Sequence, residues 1–530
     1  MIPLEDEEGH EQAGGGANSL PVPGAVAWQA MPAGRRFVIV FVVDGLRPDA
    51  ITPDVTPTLH RLRSEGVDFT NSHAVFPTVT RVNAAALATG MHPGSNGILG
   101  NQIYAAEVDP ARALDTGNYR RLLELDRVTA GPLVLTDTLG ERLHARGLKL
   151  AAVSSGSTGS ALLTNPRARD GIGALVNGAF DPGKVVGWPA SASEAILARL
   201  GPAPPRGASE RFDAVVAWTQ RVLREYVLPE LAPDVVINWL TEPDHSQHHL
   251  GVGSPSSREA LASDDHEIAR VLTTLDDLGL AASTDVLVVS DHGFTTNVSG
   301  VDVAGALIDA GLKASVDSRD VVLASSGQAV ALHVEGHDRD RIARIGRLVQ
   351  SRAWGGVVFT SARAEGDARG AVEGTFSLEL IHVANATRGP DLLLTFPWSS
   401  RPNQFGVPGG DLANVSGGAK LYASDHGSMS PWNVRNTLIA WGAGFKKRTT
   451  IRTPVGNVDV TPTILALLDV AESGHLDGRV LREALENGTD PEQIAVDTRV
   501  HTVEAGAYRA AIQVSHVDGR RYVDKSWRVR

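Results

Sequence analysis

The chain has 530 residues, enough for a large core and for more than one structural unit. Hydrophobic residues make up 42% and charged residues 21%, a globular balance, and the formal net charge of -12 argues against a basic face that grips polymeric nucleic acid. There is no cysteine, so disulfides and thiolate metal sites are excluded and any transition-metal site must use histidine and carboxylate. No apolar run is long enough to span a membrane and no signal peptide stands out. A cytoplasmic protein without membrane contact is the expectation, with export left open.

Residues 1–34 carry Glu5-Asp6-Glu7-Glu8 and Gly14-Gly15-Gly16 and read as a polar N-terminal arm. Residues 36–43 form a first strand ending at Asp44-Gly45. Residues 56–66 read as a short helix, with Pro57 near its start and Gly66 at its end, and 67–70 as a short strand. The stretch Phe76-Pro77-Thr78-Val79-Thr80-Arg81-Val82-Asn83 runs into an alanine-rich helix ending at Gly90, with Thr80 near the helix start. Residues 91–101 read as a loop, 135–146 as a helix and 149–154 as a strand. The small residues from Ser155 to Ser160 make a turn that lacks the lysine and spacing of a Walker loop.

A long helix is expected over 209–230, a strand over 234–240, a helix over 258–278 and a buried strand over 285–290, leading into Asp291-His292-Gly293. This alternation argues for an α/β fold with a mostly parallel sheet covered on both faces. Residues 303–310 are helical, and 328–395 read as an inserted unit with its own small sheet: strands at 330–334, 355–360 and 376–382 and a helix at 338–346. Residues 391–396 are expected to return to the main sheet, and 397–420 to form a long loop. A strand over 437–441 and a helix over 462–468 follow. The end reads as a hairpin around Asp518-Gly519, covering an edge or mediating association, so a homo-oligomer stays open. The division expected is an arm at 1–34, a core at 35–300, a cap at 301–395, the rest of the core at 396–490 and a C-terminal extension at 491–530.

Four places end alike: Asp44 after the first strand, Asp244 and His248 after the strand at 234–240, Asp291-His292, and a second Asp-His-Gly at Asp425-His426-Gly427. Open α/β sheets keep their chemistry at the carboxyl ends of strands. Singly, each residue has a plain explanation, since an Asp after a strand can cap the next helix. His245 and His249 are expected to be such ordinary loop residues. Together the endings argue for one polar site. Two metals need about six protein ligands, and Asp44, Asp244, His248, Asp291, His292 and His426 supply them. Three histidines favour two Zn2+ over magnesium, with Mn2+ or Fe as alternatives. Asp244 and His248 are four residues apart, so both side chains can face one ion. A nucleophilic hydroxyl belongs near a helix N-terminus, where free N–H groups favour an anion. Thr78 and Thr80 both qualify. Asn83 either donates to a phosphoryl oxygen or is a polar helix-start residue.

At these residues the sequence resembles the alkaline phosphatase superfamily and, within it, the type I phosphodiesterase/nucleotide pyrophosphatase family. The segment from Phe76 to Asn83, the Ala88-Thr89-Gly90-Met91-His92-Pro93 that closes it, and Gly97-Ile98-Leu99-Gly100-Asn101 resemble that family's nucleophile region. The resemblance implies an alkaline phosphatase-like central sheet flanked by helices, with a small inserted α+β cap and a C-terminal β-hairpin. It implies hydrolysis of small phosphodiesters or pyrophosphates through a phosphothreonine intermediate. It places the nucleophile on Thr80, phosphoryl binding on Asn83 and further substrate binding on Asn101. One zinc falls to Asp244, His248 and His426, and the other to Asp44, Asp291 and His292, with Thr80 touching it. Arg81 departs from the pattern, standing where the family's nucleotidases carry an aromatic residue. It is expected to meet a carboxylate, sulfate or second phosphate of the substrate, which raises a phosphonoacetate-hydrolase-like C–P bond hydrolase as the alternative. A sulfatase is disfavoured, because no Cys or Ser stands at the nucleophile position. A metal-stabilised binding protein without turnover is the remaining reading.

Overall fold

Seven consecutive apolar residues, Phe37–Val43, form β1 and are buried throughout, as a strand covered on both faces requires. β1 is a middle strand of a nine-stranded sheet in the computed structural model, which describes residues 36–129, 132–206, 211–471 and 474–529. The expected N-terminal arm lies outside the described residues. The other strands are β2 (Val67–Phe69), β3 (Leu150–Ser154), β4 (Ala174–Asp181), β5 (Val185–Trp188), β6 (Val235–Leu240), β7 (Thr284–Val289), β8 (Leu438–Gly442) and β9 (Thr449–Ile451). Their order is β9-β2-β8-β7-β1-β6-β3-β4-β5.

β6 and β7 flank β1, both parallel to it, with Val43 beside Leu240 and Val42 beside Val289. The three chains therefore leave the sheet at one edge, carrying Asp44, Asp244 and Asp291 with them. β8 runs antiparallel to β7 and starts at that same edge, Leu438 lying beside Val289. The segment that precedes it, with Asp425 and His426, is thus brought to the same place. Helices flank the sheet, among them α1 (Thr80–Thr89) and α2 (Asp244–Leu250). In α1 every residue but Arg81 is buried, which its small alanines allow.

Where an inserted unit is expected, a second sheet, called the cap below, joins five strands, Val321–Ser326, Ala329–Val334, Leu392–Thr395, Val358–Thr360 and Phe376–Ser377, and the helix Arg339–Ser351 lies in the same stretch. Leu392–Thr395 pairs with Ala329–Val334 and Val358–Thr360, so it belongs to the cap and does not return to the main sheet. The stretch expected as a loop over 397–420 contains Ser399–Pro402 and Pro408–Asn414, the latter paired in parallel with Thr295–Val301. Glycines and prolines mask the strand pattern there.

β4 and β5 were not expected. Asn177 and Gly178 interrupt the apolar run of β4, but Asn177 is buried and its amide donates to the Gly156 carbonyl at 2.8 Å. The long helix expected over 209–230 is observed as Asp213–Val222 running into a π-helical Leu223–Leu231; residues 209–210 lie outside the described ones. The C-terminal hairpin turns at Asp518 and Gly519, with φ of 49° and 75°. It gains a third strand, Asp497–Ala505, whose side chains are mostly exposed and so leave no apolar pattern in the sequence.

Candidate metal centre

Each site residue is aimed by its own backbone. Asp44 follows β1, and one of its oxygens accepts the Trp239 indole N–H at 2.9 Å. Asp291 follows β7, and its Oδ1 accepts the N–H groups of Gly45 and His292 at 3.0 and 3.1 Å. Asp244 and His248 sit one turn apart on α2, with His248 Nε2 3.4 Å from Asp244 Oδ1. His426 Nε2 approaches the same Asp244 oxygen at 3.4 Å. His292 Nε2 lies 3.6 Å from Asp44 Oδ1 and 3.1 Å from Asp291 Oδ2. The six predicted ligands thus converge at one edge of the sheet.

Three observations test whether these residues suit divalent metals. First, Asp44 Oδ1, Asp244 Oδ1 and Asp291 Oδ2 are buried without a hydrogen-bond donor, although each has an imidazole nearby. Second, each histidine turns Nδ1 to a backbone carbonyl about 3.0 Å away: His248 to Ser424, His292 to Gly293 and His426 to Thr78. That contact fixes the ring and leaves the Nε2 lone pair for a metal. Third, the donors fall into overlapping groups, Asp44/Asp291/His292, Asp244/His292/His426 and His248/Asp425/His426, each with ligand atoms within 4.8 Å of one another. The donor set fits two metals.

The charge state agrees. Burial, then repulsion from Asp244 and Asp291, raises the Asp44 carboxyl well above its ordinary value. Burial opposes a proton on His248, yet the Asp244 carboxylate raises it to about 9. Bound cations relieve both tensions, since they supply the positive charge that packed carboxylates lack.

Thr80 opens α1, and its Oγ1 lies 3.4 Å from His292 Nε2. Thr78 is engaged elsewhere: its hydroxyl donates to the Ser428 carbonyl at 2.8 Å and accepts from Gly427 N–H at 3.1 Å. It fastens the loop after His426. Asn83 departs from its expected role. Its amide donates to the Val75 and Val79 carbonyls at 3.0 and 3.1 Å, and its oxygen accepts from Val75 N–H and Asn457. Both amide hydrogens serve the backbone, so none is left for a phosphoryl oxygen. Asn101 is a second asparagine close to Thr80. Its Oδ1 faces the Arg81 N–H at 3.4 Å, beside Thr80. The Arg81 side chain lies against Gly117, where an added Cβ would come within 2.3 Å of its Nη2.

His245 stacks on Phe212 at 3.6 Å and neighbours His249 at 4.7 Å, so neither is the plain loop residue expected. Sequence reasoning gave no role to Asp425 or Trp239. Asp425 Oδ1 accepts His426 N–H at 2.9 Å and lies 3.7 Å from His248 Nδ1; its signal was the Asp-His-Gly phrase itself. Nothing in the strand pattern marks Trp239 as more than core.

The family model for type I phosphodiesterase / nucleotide pyrophosphatase matches residues 38–364. The chain belongs to this family. The matched span holds Asp44, Thr80, Asp244, His248, Asp291 and His292 and ends before His426. Ectonucleotide pyrophosphatase/phosphodiesterase family member 1 of Rattus norvegicus is 25% identical over 257 residues, 48% of this chain and 24% of that protein. Venom phosphodiesterase 2 of Crotalus adamanteus is 32% identical over 93 residues, 17% of this chain and 12% of that protein. The match spans about a quarter or less of the length of these curated relatives.

Among solved structures, human ectonucleotide pyrophosphatase / phosphodiesterase 5 aligns with a TM-score of 0.58 at 15% identity, covering 86% of this chain and 100% of that one. An inactive form of the murine protein in complex with AMP aligns with a TM-score of 0.57 at 15% identity, covering 83% and 96%. That likeness is one of fold, and it bears out the α/β architecture. The cytoplasmic expectation is overturned: the curated relatives are named as ectonucleotide pyrophosphatases and venom phosphodiesterases, and neither the absence of cysteine nor the lack of a visible signal peptide decides against export. Among the described residues no helix is long and apolar enough to cross a membrane.

Proposed function

We propose that the chain is a two-zinc hydrolase of small phosphodiesters or pyrophosphates with Thr80 as its nucleophile. The observation that carries this is the Thr80 hydroxyl, set at the start of a buried helix and 3.4 Å from His292 inside the nest of six donors. Three imidazoles among the donors favour zinc. One cation would be held by Asp244, His248 and His426, and the other by Asp44, Asp291 and His292 with Thr80 beside them. Bound there, two divalent metals lower the pKa of a nearby hydroxyl and neutralise phosphoryl charge.

The chain's own residues do the rest. The three Nδ1-to-carbonyl contacts and the Trp239 indole hold the donors in place before substrate arrives. The N-terminus of α1 offers N–H groups to the phosphoryl oxygens. Asn101, in place of Asn83, presents its amide to one of them. Thr80 Oγ1 forms a bond to phosphorus as the leaving oxygen departs in line, and water then cleaves the Thr80–phosphorus bond and restores the hydroxyl. The partly exposed Arg81 takes an anionic group of the substrate.

Side-by-side assays of zinc-loaded protein test this, with bis-p-nitrophenyl phosphate, p-nitrophenyl thymidine 5'-monophosphate and phosphonoacetate as substrates and a chelator control. Diester cleavage that chelation abolishes is the expected result. Turnover of phosphonoacetate alone would replace the proposal with a C–P bond hydrolase. Arg81, which stands where an aromatic would stack a nucleobase, is the observation that keeps this second reading in the experiment.

A further inference from the structure

The C-terminal sheet has one edge without a partner strand. Its three strands, Asp497–Ala505, Tyr508–Val517 and Arg520–Arg528, lie in chain order, so Asp497–Ala505 is an outer strand. The other outer strand is engaged. The Ser526 N–H donates to the Met429 carbonyl at 3.1 Å, and the Trp398 indole donates to the Ser526 carbonyl at 2.6 Å. Among the described residues no strand pairs with the free side of Asp497–Ala505. An outer strand turns alternate N–H and C=O groups outward, and a bulge or a proline commonly blunts such an edge. This strand has neither. Its nine residues pair with Tyr508 to His516 in unbroken register.

The side chains along this edge match a reversed copy of themselves. Two of the six large apolar side chains exposed among the described residues, Val496 at 47% and Val500 at 54%, stand here four residues apart. Between them Arg499 Nη2 lies 2.6 Å from Asp497 Oδ2, with both side chains more than half exposed. Thr498 is the centre of the run Val496-Asp497-Thr498-Arg499-Val500. An antiparallel copy with Thr498 opposite Thr498 sets Val496 against Val500 and Asp497 against Arg499, twice each. The four charges then alternate in sign about the two-fold axis. Directly opposed apolar residues and opposite charges stabilise paired strands, and like charges directly opposite destabilise them. Moving the centre by one residue, to Asp497 or to Arg499, sets that charge against its own copy. Moving it to Val500 sets Arg499 against His501 and Val496 against Glu504. Among these registers only the one centred on Thr498 matches both kinds of pair.

We propose that the chain forms a two-fold dimer through this edge. Asp497–Ala505 pairs antiparallel with the same strand of a second copy about Thr498, and two three-stranded sheets become one of six. A two-fold contact of this kind closes on itself and leaves no further edge of its own type open. No residue of the strand is among the metal donors, so the dimer does not depend on the chemistry proposed above.

The chain has no cysteine, so an introduced one reports alone. Full-length Thr498→Cys is expected to cross-link into a covalent dimer on mild oxidation, because directly opposite Cβ atoms lie about 4.5–5.5 Å apart. Thr502→Cys lies about 27 Å along the strands from its equivalent in this register and is expected to stay uncross-linked. Sedimentation equilibrium of the parent is expected to show a dimer. Arg499→Asp, which sets aspartates opposite each other, is expected to weaken association about tenfold while circular dichroism stays unchanged. Combining it with Asp497→Arg is expected to restore the dimer. A parent that is monomeric at every concentration, a dimer as tight with Arg499→Asp, or cross-linking of Thr502→Cys in place of Thr498→Cys overturns the proposal. A monomer whose strand amides are all protected from hydrogen exchange also overturns it, and gives the edge to another segment of the same chain. The readout is association, so the result stands apart from whether the chain cleaves phosphodiesters.

Discussion

Three side chains within a few residues of one another divide the work at the start of α1. Thr80 points its hydroxyl at the donor nest, Thr78 fastens the loop after His426, and Asn83 holds the turn from Val75 to Val79. Their substitutions should therefore fail differently. Thr80→Ala is expected to lower kcat by on the order of 10³-fold or more while bound metal, counted by elemental analysis, stays the same. Full activity in that variant would remove Thr80 from the mechanism. Asn101→Ala is expected to lower kcat by roughly 10²-fold with little change in Tm, as losing one donor to a developing oxyanion does. Asn83→Ala should do the reverse. It strips partners from a buried N–H, two carbonyls and Asn457, and is expected to destabilise the fold by about 2–3 kcal/mol in urea titration. The sequence places both asparagines near the nucleophile and does not tell them apart. Which amide is free depends on backbone groups that the order of residues does not reveal.

At the scale of elements, the site is the meeting of β1, β6 and β7 at their carboxyl ends with the segment that leads into β8. The first three were legible because buried parallel strands are written as apolar runs, and each run is followed within four residues by an aspartate. The fourth was legible only from the repeated Asp-His-Gly. β4 stayed hidden behind Asn177 and Gly178, which break its buried apolar run, and Pro408–Asn414 behind its own proline and glycines. The cap strand Leu392–Thr395 was seen as a strand but given to the wrong sheet, since an apolar run does not name its neighbours. Trp239 shows how elements tune one another: β6 carries it beside Val42 of β1, and its indole reaches Asp44. Trp239→Phe keeps the packing and removes one donor. Metal affinity, read by competition with a chromophoric chelator, is expected to fall about 10- to 100-fold. Unchanged affinity would reduce the indole to a packing role.

At the scale of the whole molecule, the C-terminal sheet shares one apolar cluster with the rest of the chain, in which Tyr508, Ile512 and Val514 join Phe359, Phe376 and Leu393 of the second sheet and Phe76 and Met429. Asp524 is the polar clasp of this arrangement. Its Oδ1 accepts from His73 Nε2 at 2.9 Å, and its Oδ2 from Ser515 Oγ at 2.9 Å and Gln513 Nε2 at 3.2 Å. Burial works to raise the Asp524 carboxyl, but these donors, His73 foremost, hold it below its ordinary value of 3.8. A carboxyl depressed in the folded state gives stability that is complete above its unfolded pKa and is lost as pH falls through the folded one. Unfolding free energy should therefore drop below about pH 4, where this clasp takes up its proton. Asp524→Asn keeps the acceptor oxygen and removes the titration. Its stability in urea is expected to be lower than that of the parent at pH 6 and to fall less steeply from pH 5 to pH 3. Parallel curves for the two proteins would mean that the clasp carboxyl is not held low, and that the apolar contacts of Tyr508, Ile512 and Val514 keep the sheet in place unaided.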